Sequence, residues 1–172
     1  MKFVCTKEIL VNAISTVQKS IAARTPLPIL EGILVEADDS VKMTGYDLET
    51  GIECTIQADV QQEGKLVINA RMFGEIARRL PEETVSISSG DNQTVVIECG
   101  SARFNIKCML AENYPKILLV EESERVSLPQ NLLRDMIRQT LFAVSNDESR
   151  PILNGCYIKC EDKVIEMVAI DG

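Results

Sequence analysis

Apolar side chains recur along this chain with two periods, and the switch between them lays out its elements. Over residues 7–22, Ile9, Leu10, Ala13, Ile14, Val17 and Ile21 fall one, three and four positions apart, the spacing of one helical face, and Thr6 stands where an N-cap belongs. Asn69 holds the same place ahead of residues 70–80, where the pattern turns Met72, Phe73, Ile76, Ala77 and Leu80 inward and Pro81 stops the helix. A third helix is predicted over 129–144, with Pro129 in its first turn and Leu132, Leu133, Met136, Ile137, Leu141 and Val144 buried.

Between these stretches the period drops to two. Ile52, Cys54 and Ile56 alternate with Glu53, Thr55 and Gln57; Val85 and Ile87 alternate with serines; Phe104, Ile106 and Cys108 alternate with Asn105 and Lys107. Asp38-Asp39-Ser40, Ser89-Gly90-Asp91-Asn92 and Gly100-Ser101 supply turns. Short strands with interspersed helices predict an α+β fold in which helices back antiparallel sheets. The first domain is expected to end near Pro115, before the acidic Glu121-Glu122-Ser123-Glu124, and the repeat that follows bounds it at residues 1–122.

The chain then begins to repeat itself. Pro28-Ile29-Leu30-Glu31-Gly32 returns 123 positions later as Pro151-Ile152-Leu153-Asn154-Gly155. Val41-Lys42-Met43-Thr44-Gly45-Tyr46-Asp47 returns 124 positions later as Ile165-Glu166-Met167-Val168-Ala169-Ile170-Asp171, and Ile9, Leu10 and Ile14 fall opposite Leu132, Leu133 and Ile137. Three landmarks in one order at nearly one offset mark residues 123–172 as the start of a second unit. Half a sheet leaves open edges and an uncovered apolar face. The native protein is therefore expected to continue beyond Gly172, or the half-unit to borrow strands from another molecule.

Composition narrows the chemistry. With no histidine, Ser-His and Cys-His nucleophile pairs and His-ligated metals are excluded. The six cysteines contain no C-x-x-C and read as small core residues on strands. A calcium-loop window over 38–49 fails because Met43 takes the glycine position and Lys42 a ligand position. No G-x-x-x-x-G-K is present, and Asp47 and Glu49, the nearest thing to a catalytic carboxylate pair, sit in a turn after a strand. No catalytic residue, metal or cofactor is expected. An opening that turns polar at Thr6 and Lys7 lacks a signal peptide, so the expected location is cytoplasmic, away from membranes.

Charge is distributed unevenly. The three helical stretches carry eight basic residues, Lys7, Lys19, Arg24, Arg71, Arg78, Arg79, Arg134 and Arg138, against the acids Glu8, Glu75 and Asp135. That is +5 on helices, and since the chain totals −8, strands and loops hold −13. One positive face set against a negative remainder suits a polyanion met through its phosphates.

Taken in order, Met1-Lys2-Phe3, Arg24-Thr25-Pro26-Leu27-Pro28-Ile29-Leu30, Asp47-Leu48-Glu49, Leu80-Pro81 and Arg150-Pro151-Ile152-Leu153-Asn154-Gly155 resemble the bacterial sliding-clamp family, the beta subunits of the DNA polymerase III holoenzyme. The resemblance implies the DNA-clamp fold, with sheets outside and two helices per domain lining an inner face, in rings of two subunits of three domains each; here the third domain would be absent. It implies a processivity factor that encircles duplex DNA, has no catalysis of its own, and serves a nucleotidyltransferase holoenzyme. Its partners would be DNA, a second copy of the subunit, the polymerase core and the clamp loader. Arg24 and Arg71 match positions that touch DNA in the family, and Arg78, Arg79, Arg134 and Arg138 lie on helices that line the hole. The loop Asn146-Asp147-Glu148-Ser149 matches another DNA contact but carries two acids. Phe104 and Ile106 match the strand that pairs with the partner subunit. Leu153, Ile170 and Gly172 match the first wall of the pocket for partner peptides, incomplete here. The competing reading is a clamp-like protein-interaction module that does not encircle DNA.

Overall fold

Each helix of the first unit starts on the last residue of a strand, and this junction organises the fold. The computed structural model describes residues 1–21, 25–90, 92–117, 126–161 and 164–172, which fall into two units, Met1–Leu118 and Leu119–Gly172. The first runs β1 (Lys2–Thr6), α1 (Lys7–Val17), 3-10 turns at Gln18–Ser20 and Pro28–Glu31, β2 (Gly32–Ala37), β3 (Val41–Tyr46), β4 (Gly51–Ile56), β5 (Asp59–Gln62), β6 (Gly64–Asn69), α2 (Ala70–Arg79), β7 (Thr84–Gly90), β8 (Thr94–Cys99) and β9 (Ala102–Met109).

Two halves of this unit trade strands. β2, β3 and β4 form a meander, and the strand added beside β2 is β6, which belongs to the second half. β7, β8 and β9 form the matching meander, completed by β1 of the first half. Each exchanged strand then leads into its own helix, and Thr6 and Asn69 cap those helices by accepting from the N–H three residues on, at 3.4 and 3.1 Å. The two rows of paired residues correspond position by position: Phe3, Ile87, Ile97 and Phe104 across one meander, Leu66, Val35, Met43 and Cys54 across the other.

These rows face the helices. Leu10, Ala13, Ile14 and Val17 of α1 and Ala70, Phe73 and Ala77 of α2 are buried in one core with Phe3, Val35, Met43, Leu66, Ile87 and Ile97. Two apolar residues expected inside are not: Ile9 is 39% and Met72 48% exposed. Both are the third residue of their helix, at the margin of the apolar stripe, where the meander does not reach.

α1 also ends earlier than its periodicity predicts. It stops at Val17 and tightens into a 3-10 turn because its end lies directly on β3: Ser20 Oγ returns to the Val17 carbonyl at 2.9 Å, and a side chain on Gly45 would run into both. On the opposite face of the sheet Lys42 bridges Glu36 and Glu53 at 3.3 and 3.5 Å, and Arg103 pairs with Glu98 at 3.1 Å. The Glu36 contact leads in raising the Lys42 pKa. Tyr114 packs there with Leu30, Tyr46 and Val67, and its hydroxyl donates to the carbonyls of Gly32 and Thr44.

The second unit contains α3 (Gln130–Thr140), 3-10 turns at Leu141–Ala143 and Pro151–Leu153, β10 (Tyr157–Glu161) and β11 (Val164–Val168). α3 and both turns begin 123 positions after α1 and the turns that follow it. The pairs Val35↔Met43 and Ala37↔Val41 are answered by Ile158↔Met167 and Cys160↔Ile165, so one residue added in the hairpin turn carries the offset from 123 to 124. α3 differs from expectation in three ways. Pro129 caps it instead of entering its first turn, it ends at Thr140 where the periodicity runs on to Val144, and none of its residues is buried; Leu132 and Ile137 are 43 and 39% exposed, and Leu141, in the 3-10 turn that follows, 58%. The face that α2 and β4 close over α1 has, over α3, only a two-stranded hairpin opposite it among the described residues.

Candidate nucleic-acid interface

α1 and α2 lie antiparallel and are fastened at both ends by side chains. Lys7 Nζ donates to the carbonyl of Leu80, the C-cap of α2, and Gln18 Nε2 donates to the carbonyl of Ala70, its first residue, each at 2.6 Å. An ammonium at the negative end of a helix gains from the dipole as well as from the hydrogen bond. Lys7, counted above among the helical cations, is thus committed to holding the helix pair. Sequence spacing marks it as surface charge and gives no sign of a partner 73 residues away.

The arginines of α2 remain exposed on the helix surface. Arg71 pairs with Glu75 one turn on at 3.1 Å while its side chain stays 89% exposed. Arg78 and Arg79 occupy the last turn, where they favour the helix dipole. Arg71 and Arg78 come together at a cleft of about 520 Å³ lined also by Gln18, Asn69 and Glu31. Arg24 lies outside the described residues.

On α3, Arg134 and Arg138 stand one turn apart and exposed, with Asp135 3.9 Å from Arg134 Nε. The loop after it is tightly wound. Asp147 Oδ1 accepts from the Ser149 N–H at 2.9 Å, the Arg150 N–H donates to the Asp147 carbonyl at 3.1 Å, and Ser149 holds the Asp147 carboxyl below its ordinary pKa. This carboxylate is spent on its own loop. Asp47 behaves alike: its Oδ1 accepts from Thr50 and Glu49 at 2.6 and 3.0 Å, and these backbone bonds depress its pKa. It closes a turn and is not set opposite a second carboxylate for acid–base work.

Phe104 and Ile106 lie on β9 with their side chains toward the helix-side core, Ile106 at 7% exposure and Phe104 half-buried. β9 meets β6 only at Cys108 and Met109, so its Ala102–Lys107 edge has no strand beside it on that side among the described residues. What this strand offers outward is therefore backbone, with Arg103, Asn105 and Lys107 on the face away from the core. In the second unit Leu153 is half-buried and Ile170 61% exposed, and a Cβ on Gly172 would lie 3.4 Å from Leu153 Cδ1. Among the described residues no cluster of three or more His, Cys, Asp or Glu could hold a metal, and no helix is long and apolar enough to cross a membrane.

Comparison with known proteins agrees with this architecture. Residues 1–118 match the family model of the DNA polymerase III beta subunit, N-terminal domain, and residues 127–172 that of its central domain. The chain is 38% identical over its whole length to the beta sliding clamps of Halalkalibacterium halodurans and Bacillus subtilis, covering 48% of each. It superposes on the crystal structure of the B. subtilis DNA polymerase sliding clamp with a TM-score of 0.94 over 99% of its residues and 47% of that chain. The beta subunit from Thermotoga maritima gives 0.88 at 29% identity. The chain spans about half the length of the relatives it matches. With the α+β sliding-clamp fold and both family models in register along it, the chain belongs to the DNA polymerase III beta subunit family, the beta sliding clamps.

Proposed function

We propose that this chain supplies a complete first clamp domain, residues 1–122, and the opening of a second, residues 123–172, of a ring that encircles duplex DNA and tethers the replicative polymerase. The observation that carries the reading is the placement of Arg71, Arg78 and Arg79 on the exposed surface of a helix pair, with paired strand charges on the other face of the same sheet. Arg24, Arg134 and Arg138 extend the basic set. Contacts of this kind go to phosphates, carry no base readout and are individually weak, which lets a closed ring slide. Processivity then comes from topology, and the chain itself performs no chemistry.

The free edge of β9 around Phe104 and Ile106 would take a strand from a second subunit. Leu153, Ile170 and Gly172 would form one wall of a pocket for peptides of the polymerase core and clamp loader in a longer chain. A second reading, a module that binds proteins without encircling DNA, is favoured by the exposure of Phe142 (84%) and Ile152 (90%).

Fluorescence anisotropy of the chain with a labelled 20-base-pair duplex decides between them. Association that falls steeply and linearly in log salt supports the phosphate-facing helices. Binding that is flat in salt, or absent at 50 mM salt, rejects them and leaves the interaction module.

A further inference from the structure

Phe3, Leu66 and Val126 each stand four residues ahead of the first residue of a helix, and two of the three lie against a strand. Phe3 faces Ile87 and Leu66 faces Val35, each pair joining the two halves of the first unit, and all four side chains are 5% exposed or less. The third case is open. Ile158 holds the place of Val35 and Ile87, since it pairs with Met167 as Val35 does with Met43 and Ile87 with Ile97. Yet Ile158 is 50% and Val126 59% exposed, residues 126–128 form no strand, and β10 has β11 alone beside it among the described residues. The second unit thus holds both members of an apolar pair with the pair unmade. One copy does not make it in this pattern: β1 and β2, from the same half, lie beside β7 and β6 and not beside each other.

We propose that in the 172-residue chain a second copy supplies the missing half: each copy lays residues 126–128 along the free edge of the other's β10, about a two-fold axis, with Val126 opposite the partner's Ile158. The first unit shows that two such halves fit, because its own exchange β1 and β6 in the same sense, Phe3 with Ile87 repeating Leu66 with Val35. Two identical halves close in the same way, and the contact is then isologous. The register follows. Leu128, in the place of Cys5 and Ile68, falls opposite the partner's Cys156, in the place of Val85 and Ile33. The helix ends agree as well: Gln130 takes the place of Lys7 and Thr140 that of Leu80, so the Gln130 amide meets the partner's Thr140 carbonyl as Lys7 meets that of Leu80. Ile137, 39% exposed where Ile14 and Ala77 are 1%, gains the cover of the partner's α3. The joined halves share one core, the kind of interface that obligate dimers bury.

Sedimentation velocity of the 172-residue chain without DNA, from about 1 to 100 µM, tests this apart from the phosphate-facing reading. A monomer–dimer equilibrium is expected, and hydrogen exchange at residues 126–128 should slow as the dimer fills. Val126→Lys and Ile158→Asp, each exposed in the single copy, should leave its melting unchanged and weaken dimerisation at least about tenfold. Copies carrying Val126→Cys, mixed with copies carrying Ile158→Cys and oxidised, should join through a disulfide between positions 126 and 158, since paired strands hold Cα atoms about 4.5–5.5 Å apart. A chain that stays monomeric overturns the proposal. A dimer that neither single variant weakens is held by another surface, such as the free edge of β9, and overturns it too. Cross-links that run from position 126 to Cys156 or Cys160 instead contradict the register and overturn it as well.

Discussion

The Lys7 ammonium sits 2.6 Å from the carbonyl oxygen of Leu80, so the first residue of one helix closes the end of the other. Four carbonyls at the end of a helix lack intrahelical donors, and this one is served by a charge. Lys7→Met keeps the stem and removes the donor, and should cost ~1–2 kcal/mol, read as a lower urea midpoint by circular dichroism. An unchanged midpoint would show that water replaces the ammonium without loss.

Phe73 and Met72 are neighbours on α2 with opposite fates, one fully buried and the other 48% exposed. Phe73→Ala should cost ~3–5 kcal/mol through the cavity it leaves, whereas Met72→Ala should stay within ~0.5 kcal/mol. Equal losses at the two positions in thermal melts would mean that α2 is rotated from the orientation described.

The contact of α1 with β3 makes a third case. An added methyl at Gly45 meets the Val17 carbonyl and Ser20 Oγ, and neither is the end of a flexible side chain. Gly45→Ala should therefore destabilise by ~2–3 kcal/mol, visible as a lower melting temperature, while Gly155→Ala, with nothing within 4 Å, should not.

These contrasts mark what the sequence made legible. Thr6 and Asn69 were readable as caps because capping depends on residues three apart. Ile9 and Met72 were misread because a 3.6-residue period fixes the direction of an apolar stripe but not its width; that is set by how far the facing strands extend. The apolar face of α3 stays uncovered for a related reason, since periodicity announces such a face without supplying its cover. The exchange of β1 and β6 left no local trace: strand period identifies a strand and is silent about its partner. Of the proposed site, the arginines were visible as charges, while the roles of Lys7 and Gln18 needed contacts spanning 73 and 52 residues.

Burial makes the thiols unequal. Cys5 is pushed up from 9.0 to about 11 by desolvation, whereas Cys160 is exposed. At pH 8 iodoacetamide should modify Cys160 first and reach Cys5 only after denaturation, as mass spectrometry of timed samples would show. A thiol whose folded pKa is raised contributes stability that is complete below the unfolded value. That contribution is lost as pH climbs from about 9 towards 11, because only the unfolded chain releases the proton there. Denaturant midpoints should therefore drop over that window, and Cys5→Ala should flatten the drop.

The traded strands also dictate a timetable. Leu66 and Val35 can meet early, but Phe3 must wait for Ile87, some 84 positions downstream, before its row can form. A chain emerging from the ribosome can pair its opening strand with β5, Phe3 opposite Val60, but the meander that β1 completes waits for β7 and β9. Contacts of such long separation are slow to close and close together. The first unit should consequently appear all at once, late in its own synthesis, with the row from Phe3 to Phe104 among the last pieces to lock.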